Sequence, residues 1–272
     1  MKKTLFLFVA LLGLSLFDAG AVGASPYPIK KKQPDGSTIT LRLHGDEYYN
    51  WYTTVDGNTI YDKGADGWWR PSRESRSSRN ARMMKARQQR EEHVLTPTRS
   101  SEGGICFGDK NFLVLLVEWK DKSFHYGAGD YFRRALNEEG FSDFGGAGSV
   151  ADYYKDASYG MFNPTFDVYG PIAIDRGWNE FPEGDDNRFH LLMVEEMITG
   201  ALEKLGDDID YSKYDNDNDG YIDNVYLFFP GLPQSSGYGE DLIWPHKSWM
   251  YSDPIYGGEA FGILCLFVRV CL

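Results

Sequence analysis

Cysteine is scarce in this sequence, which contains only Cys106, Cys265 and Cys271 among its 272 residues. Three cysteines form one disulfide at most, so the chain is not a disulfide-stapled scaffold. Positive charge is also in deficit, with 28 Lys and Arg against 40 Asp and Glu and a formal net charge of −12. Because nucleic-acid phosphates require a basic surface, nucleic acid is excluded as an expected partner.

Several catalytic signatures are absent as well. No phosphate-cradling glycine loop, dinucleotide-binding fingerprint or Ser-His-Asp pattern is readable. The five histidines are His44, His93, His125, His190 and His246. No two of them are four residues apart, so the zinc-binding helix motif H-E-x-x-H does not occur in these 272 residues.

The longest apolar run near the start is residues 5–17, which is too short to span a membrane. Lys2 and Lys3 precede this run, and small residues follow it. This order is typical of a secretory signal peptide over residues 1–24. We therefore expect export to the periplasm or the extracellular space, with no membrane span after the signal peptide is removed.

The charge distribution divides the remaining chain. Residues 1–104 carry a net charge of +5 and residues 105–272 a net charge of −17, which favours two functional parts. Residues 25–69 are interpreted as a β-rich, propeptide-like module, because three Asp-Gly pairs typical of hairpin turns separate runs of β-branched and aromatic residues. Residues 70–106 are interpreted as an Arg- and Ser-rich linker, with a partial helix over residues 80–92. Its arginines make it a candidate for proteolytic cleavage, and an uncut tether is the alternative.

Residues 107–258 have the pattern of a mixed α and β domain, so the chain is expected to belong to the α+β class. The continuous apolar run at residues 112–119 predicts a central strand buried on both faces. The pattern predicts helices over residues 130–139, 149–157 and 188–205, the last with apolar residues at helical spacing. It predicts one or two strands over residues 166–174, interrupted at Gly170-Pro171, and a further strand over residues 222–229.

An acidic loop at residues 215–223 reads D-N-D-N-D-G-Y-I-D. Calcium takes about 6–8 oxygen ligands, and a tight turn at Gly220 would fold the carboxylates onto one ion. The predicted calcium ligands are the side chains of Asp215, Asp217, Asp219 and Asp223 and the backbone carbonyl of Tyr221. The loop is not an EF-hand, because its twelfth position is Tyr226 instead of Glu. A structural calcium ion is therefore expected, and a solvated acidic turn is the alternative.

Four segments of the domain together resemble the immune-inhibitor-A-type family of secreted zinc metalloproteases. They are the strand at residues 111–118, the run S-V-A-D-Y-Y-K-D-A-S-Y-G at 149–160, the run at 214–225 that contains the acidic loop, and I-W-P-H at 243–246. The N-terminal module, with Q-P-D-G at residues 33–36 and G-D-E-Y at 45–48, resembles the propeptide of that family. The likeness covers about residues 27–69 and 107–256.

This resemblance implies a zincin fold, protein or peptide substrates, and peptide-bond hydrolysis by a zinc-activated water. In such a site H-E-x-x-H supplies two zinc ligands and the general base. Since the motif is missing, no catalytic or zinc-binding residue is carried over onto this chain. Residues 107–258 are then expected to be the N-terminal part of a catalytic domain that is incomplete before the zinc motif.

Residues 259–272 are apolar without alternation and do not resemble the family. A shifted reading frame near residues 257–258 is one hypothesis for this tail, and a native buried strand is the alternative. Two functions therefore follow from the sequence. The first is a secreted metallopeptidase precursor that is inactive on its own, and the alternative is a non-catalytic secreted calcium-binding or inhibitory protein.

Overall fold

The computed structural model describes residues 23–46, 49–94, 107–178, 180, 189–206, 209–216, 222–237, 242–245, 247–250 and 261–267. Helices and strands are mixed along this chain, which confirms the α+β class. Two five-stranded sheets organise the described residues, one in the N-terminal module and one in the domain after it. No helix in these ranges is long and apolar enough to cross a membrane. The predicted signal peptide lies almost wholly outside them.

The N-terminal module is an antiparallel meander in which each strand pairs with the next. Its strands are β1 Ile29–Lys32, β2 Thr38–Gly45, β3 Asn50–Thr53, β4 Ile60–Lys63 and β5 Trp69–Pro71. The chain turns at the predicted Asp-Gly pairs, and the three glycines have left-handed φ values of +77° to +87°. Glycine adopts this conformation without a steric penalty, which explains why the turns fall at these pairs. The sequential pairing of the five strands confirms the predicted meander.

Helix α1, Arg76–Val94, follows the meander within the segment interpreted as a linker. It begins four residues before the predicted start and packs against the module. The guanidinium of Arg79 lies 4.3 Å from the ring centroid of Trp51, and Ala86 is buried. A contact between an arginine and an aromatic ring anchors this helix. Hydrophobic periodicity does not reveal such an anchor.

The second sheet has the strand order β7-β6-β8-β10-β9. Its strands are β6 Gly108–Glu118, β7 Phe162–Ala173, β8 Asn224–Phe229, β9 Lys247–Met250 and β10 Phe261–Phe267. Strands β7, β6, β8 and β10 run parallel, and β9 is antiparallel at the edge. The predicted central strand is confirmed, because every side chain from Leu113 to Val117 is fully buried.

Three α-helices among the described residues cover the two faces of this sheet: α2 Ala128–Asn137, α3 Val150–Ala157 and α4 Phe189–Leu205. Val114 and Leu116 of β6 pack with Phe132 of α2 on one face. Leu113 and Leu115 pack on the other face with a set of α4 residues, namely Met193, Val194, Met197, Ile198 and Ala201. Alternate residues of β6 therefore pack into two hydrophobic cores, one on each face of the sheet. The burial of the α4 residues at these positions confirms the helical spacing predicted for this segment.

Local sequence signals set several boundaries. Ser149 caps α3 with a reciprocal capping box, in which the Ser149 side chain accepts from Asp152 N–H and the Asp152 carboxylate accepts from Ser149 N–H. The predicted break at Gly170-Pro171 does not divide β7, which continues through it as one strand of 12 residues. A register shift opposite Leu115 and Val117 accommodates the Gly-Pro pair, and Gly170 has a φ of +108°.

Strand β6 marks a topological switch point, because β7 lies on one side of it and β8 on the other. Ligand sites of open α/β sheets form at the carboxyl ends of strands at such a point. Here the indole N–H of Trp119, which follows β6, donates to the carbonyl of Pro230, which follows β8, at 3.1 Å.

Strand β10 takes its place between β8 and β9, with Ile263 opposite Val225 of β8 and opposite Ser248 of β9. This strand falls in the tail for which a shifted reading frame was considered. An inner strand at this position agrees with the alternative interpretation of the tail. The frame shift itself stays a prediction.

Candidate calcium loop and module interface

The acidic loop is held closed at its two ends. The backbone N–H of Asn216 donates to Oδ2 of Asp223 at 2.6 Å, and the N–H of Asp223 donates to the carbonyl of Tyr214 at 3.0 Å. The predicted ligands Asp215 and Asp223 therefore lie at the two joined ends of the loop. The other three predicted ligands, Asp217, Asp219 and Tyr221, lie outside the described residues.

Asn216 fixes this turn to the central strand. Its side-chain oxygen accepts from the N–H of Asn111 at 2.9 Å, and its side-chain nitrogen donates to the carbonyl of Asn111 at 2.9 Å. The ammonium group of Lys110 donates to the backbone carbonyl of Asn216 at 2.9 Å. The carboxamide thus pairs with the start of β6 as a neighbouring peptide unit would. Sequence reasoning missed this role, since Asn216 occupied only a spacer position between aspartates.

Tyr214 is the buried residue that directly precedes the acidic loop. Its side chain is fully buried, and its hydroxyl donates to Oδ2 of Asp167 at 2.9 Å and lies 3.0 Å from the Tyr169 hydroxyl. Burial, together with the hydrogen bonds to Tyr169 and Asp167, raises the pKa of Tyr214 well above its usual value. Tyr214 therefore stays protonated and serves as a hydrogen-bond donor that ties the loop entry to β7.

The chemistry of the loop fits a hard cation, because every predicted ligand atom is an oxygen. Within the described ranges, no three His, Cys, Asp or Glu side chains form a group that could hold a metal. The described part of the loop contributes Asp215 and Asp223. The completeness of a calcium site therefore depends on residues 217–221.

A second feature joins the N-terminal module to the domain. Trp244, on the segment between β8 and β9, is fully buried and belongs to the core of the meander. Its partners in this cluster are Ile29, Leu41, Leu43, Tyr52 and Trp69. The domain thus inserts the indole of Trp244 into the inner face of the module.

Two backbone contacts accompany this insertion. The N–H of Ser25 donates to the carbonyl of Ser235 at 2.8 Å. Gly237 packs so closely on Ile29 that a Cβ at residue 237 would overlap Cδ1 of Ile29 and lie 3.0 Å from its Cγ1. The module therefore contacts Ser235, Gly237 and Trp244, which lie between β8 and β9 in the chain.

No protein-family model matches this chain, and no curated protein sequence matches it significantly. The inferences about function therefore rest on the residues and contacts described above and on the resemblance read from the sequence.

Proposed function

We propose that this chain comprises the propeptide and the N-terminal part of the catalytic domain of a secreted zinc metallopeptidase precursor with a zincin-like fold. The observation that carries the proposal is the burial of Trp244 in the core of the N-terminal module. A propeptide that shields a catalytic domain must bind that domain by a specific surface. The module contacts the domain through Ser235, Gly237 and Trp244, in the segment that follows β8.

The arrangement of the remaining parts supports the same proposal. Helix α1 carries a series of arginines and connects the module to the domain, which suits a segment that is cut to separate the two. The acidic loop, with structural calcium, would fix the entry into β8. Zinc would supply the activated water of the intact family, and this sequence assigns it no ligands. The substrates would be proteins or peptides, and the compartment periplasmic or extracellular.

A proteolysis assay tests the catalytic part of the proposal. The purified chain from residue 25 is incubated with an unstructured protein substrate, with zinc and with or without EDTA. We expect no EDTA-sensitive hydrolysis and no retained zinc after gel filtration, because H-E-x-x-H is missing from these residues. EDTA-sensitive hydrolysis by this chain would overturn the assignment of the zinc site to the missing motif.

Limited proteolysis tests the propeptide part. Cleavage within α1 should leave the module bound to the domain, so that both fragments elute together in gel filtration. Trp244→Ala should release the cleaved module, because it removes the side chain that fills the module core. Trp68→Ala is the matched control, since Trp68 is only half-buried and lies outside that cluster. Separate elution of the unmutated fragments would contradict a specific propeptide contact.

A second candidate function is a non-catalytic secreted calcium-binding or inhibitory protein. The inner position of β10 favours it, because this strand pairs with both β8 and β9 as part of the sheet. A complete domain of this kind unfolds in one cooperative transition, whereas part of a larger catalytic domain melts broadly or aggregates. Calorimetry of the chain from residue 25 separates the two candidates.

A further inference from the structure

The outer face of the meander carries a cluster of charged and aromatic side chains beneath α1. The imidazole of His44 on β2 stacks on the indole of Trp51 on β3, with ring centroids 5.4 Å apart and planes 13° from parallel. The guanidinium of Arg79 on α1 lies against the same indole at 4.3 Å. Trp51 therefore joins the histidine of the sheet to the arginine of the connecting helix.

A hydrogen bond fixes the tautomer of the neutral His44 ring. Its Nε2 lies 2.8 Å from Oγ1 of Thr53, and the Thr53 hydroxyl donates its own hydrogen to the carbonyl of Thr54 at 2.8 Å. Oγ1 must therefore accept from His44, so the neutral ring carries its hydrogen on Nε2. A second proton, on Nδ1, would make the ring cationic.

The charges around His44 oppose that second proton. Among the described residues, the charged groups that act on His44 are Arg42 on the same strand and Arg79 on α1, and both are cationic. Glu74 lies across the cluster, where it pairs with Arg82 at 3.3 Å and acts on Tyr49. Partial burial and the two arginines lower the pKa of His44 below its usual value.

We propose that His44 is a pH-sensitive latch that holds α1 on the N-terminal module at neutral pH and releases it on acidification. Protonation of His44 places a third positive charge beside Arg42 and Arg79. Movement of α1 away from the module separates Arg79 from the other two charges and so relieves the repulsion. Release exposes the arginine-rich connecting helix to proteases in an acidic environment. This inference concerns the module and α1 alone, so it holds for either candidate function.

The direction of the effect follows from proton linkage. Burial lowers the pKa of His44 most, followed by Arg42 and then by Arg79. Release of α1 removes the contribution of Arg79, so the pKa of His44 rises toward its ordinary value of 6.5. The released state then binds the proton more readily than the docked state. Docking is therefore at full strength above about pH 7 and weakens as the pH falls through about 6.5 and below.

Hydrogen–deuterium exchange of the purified chain at pH 7.5 and pH 5.0 tests this latch. After correction for intrinsic exchange rates, we expect protection of residues 76–94 to fall several-fold at pH 5.0, where tenfold would correspond to one full pKa unit between the two states. His44→Gln keeps a donor to Thr53 without a titrating ring and should abolish the fall. His125→Gln, on an exposed histidine of the other domain, should retain it.

Two outcomes would overturn the latch. One is equal corrected protection of residues 76–94 at both pH values, and the other is an equal fall in the His44→Gln chain. If His44→Gln fails to fold, an NMR titration of the histidine ring protons in the unmutated chain decides the question. A His44 resonance that titrates at or above the ordinary value would contradict the proposal.

Discussion

Gly237 and Ile29 are in direct contact across the boundary between the domain and the N-terminal module, without room for a β-carbon between them. Gly237 has a φ of +76°, and Ile29 is buried in the core that receives Trp244. The contact joins residues that are more than two hundred positions apart in the chain. Substitutions at Gly237 and Ile29 therefore test the module interface directly.

Gly237→Ala should loosen the module. The left-handed conformation costs a non-glycine residue about 1–2 kcal/mol, and overlap with a buried methyl group adds about 1–3 kcal/mol. Gly57→Ala is the matched control, because Gly57 has a φ of +77° and open space around it. Denaturant unfolding should show a larger loss of free energy for Gly237→Ala. Adding Ile29→Ala should be less costly in the Gly237→Ala background than alone, and equal costs would argue against the contact.

Asn216→Ala should destabilise the entry into β8. The substitution leaves both the N–H and the carbonyl of Asn111 without their partner, at a cost of about 1–3 kcal/mol in the free energy of unfolding. Asn58→Ala, in an exposed hairpin turn, should change that free energy by no more than about 0.5 kcal/mol. Thermal unfolding of the two variants makes the comparison. Equal melting temperatures would mean that Asn216 does not anchor the loop.

Calcium should raise the melting temperature of the chain. An ion that binds only the folded state adds about 2.7 kcal/mol to its stability at a hundredfold excess over Kd. Asp217→Ala combined with Asp219→Ala should abolish the rise. Asp156→Ala combined with Asp175→Ala removes the same charge from exposed positions and should preserve it. If calcium leaves the melting temperature of the unmutated chain unchanged, the acidic loop is a plain turn.

Asp152 should make the stability of the domain sensitive to acid. The backbone N–H groups of Ser149 and Gly140 donate to its carboxylate and lower its pKa below the ordinary value. A lowered folded-state pKa means that this contribution is present above about pH 4 and is lost as the pH falls further. In urea unfolding, the free energy of unfolding of Asp152→Asn should therefore be lower than that of the unmutated chain at pH 6. The difference should shrink as the pH falls toward 3. A gap that is independent of pH would contradict this role, and Asp175→Asn should produce no gap.

Local signals predicted much of the fold. The Asp-Gly pairs placed the turns of the meander, Ser149 placed the start of α3, and the apolar spacing from Met193 onward placed the buried face of α4. Each of these features is decided by residues close together in the chain. Short-range stereochemistry is therefore sufficient to find them.

Long-range contacts account for what the sequence did not predict. The docking of α1 depends on Arg79 meeting Trp51, and the module interface depends on Trp244 entering the meander core. The anchoring of the acidic loop depends on Asn216 meeting Asn111, over a hundred residues away. The partners in each of these contacts are far apart in the sequence. Local propensity and hydrophobic periodicity therefore do not predict them.

The encoding DNA offers the most direct test of the metallopeptidase account. It is sequenced past the codon for Gly258 and translated in all three frames. The account predicts a helix-forming segment with H-E-x-x-H in one of those frames, shortly after the sequence that corresponds to β10. The absence of that motif from every frame would contradict the account and leave the non-catalytic calcium-binding protein as the better description.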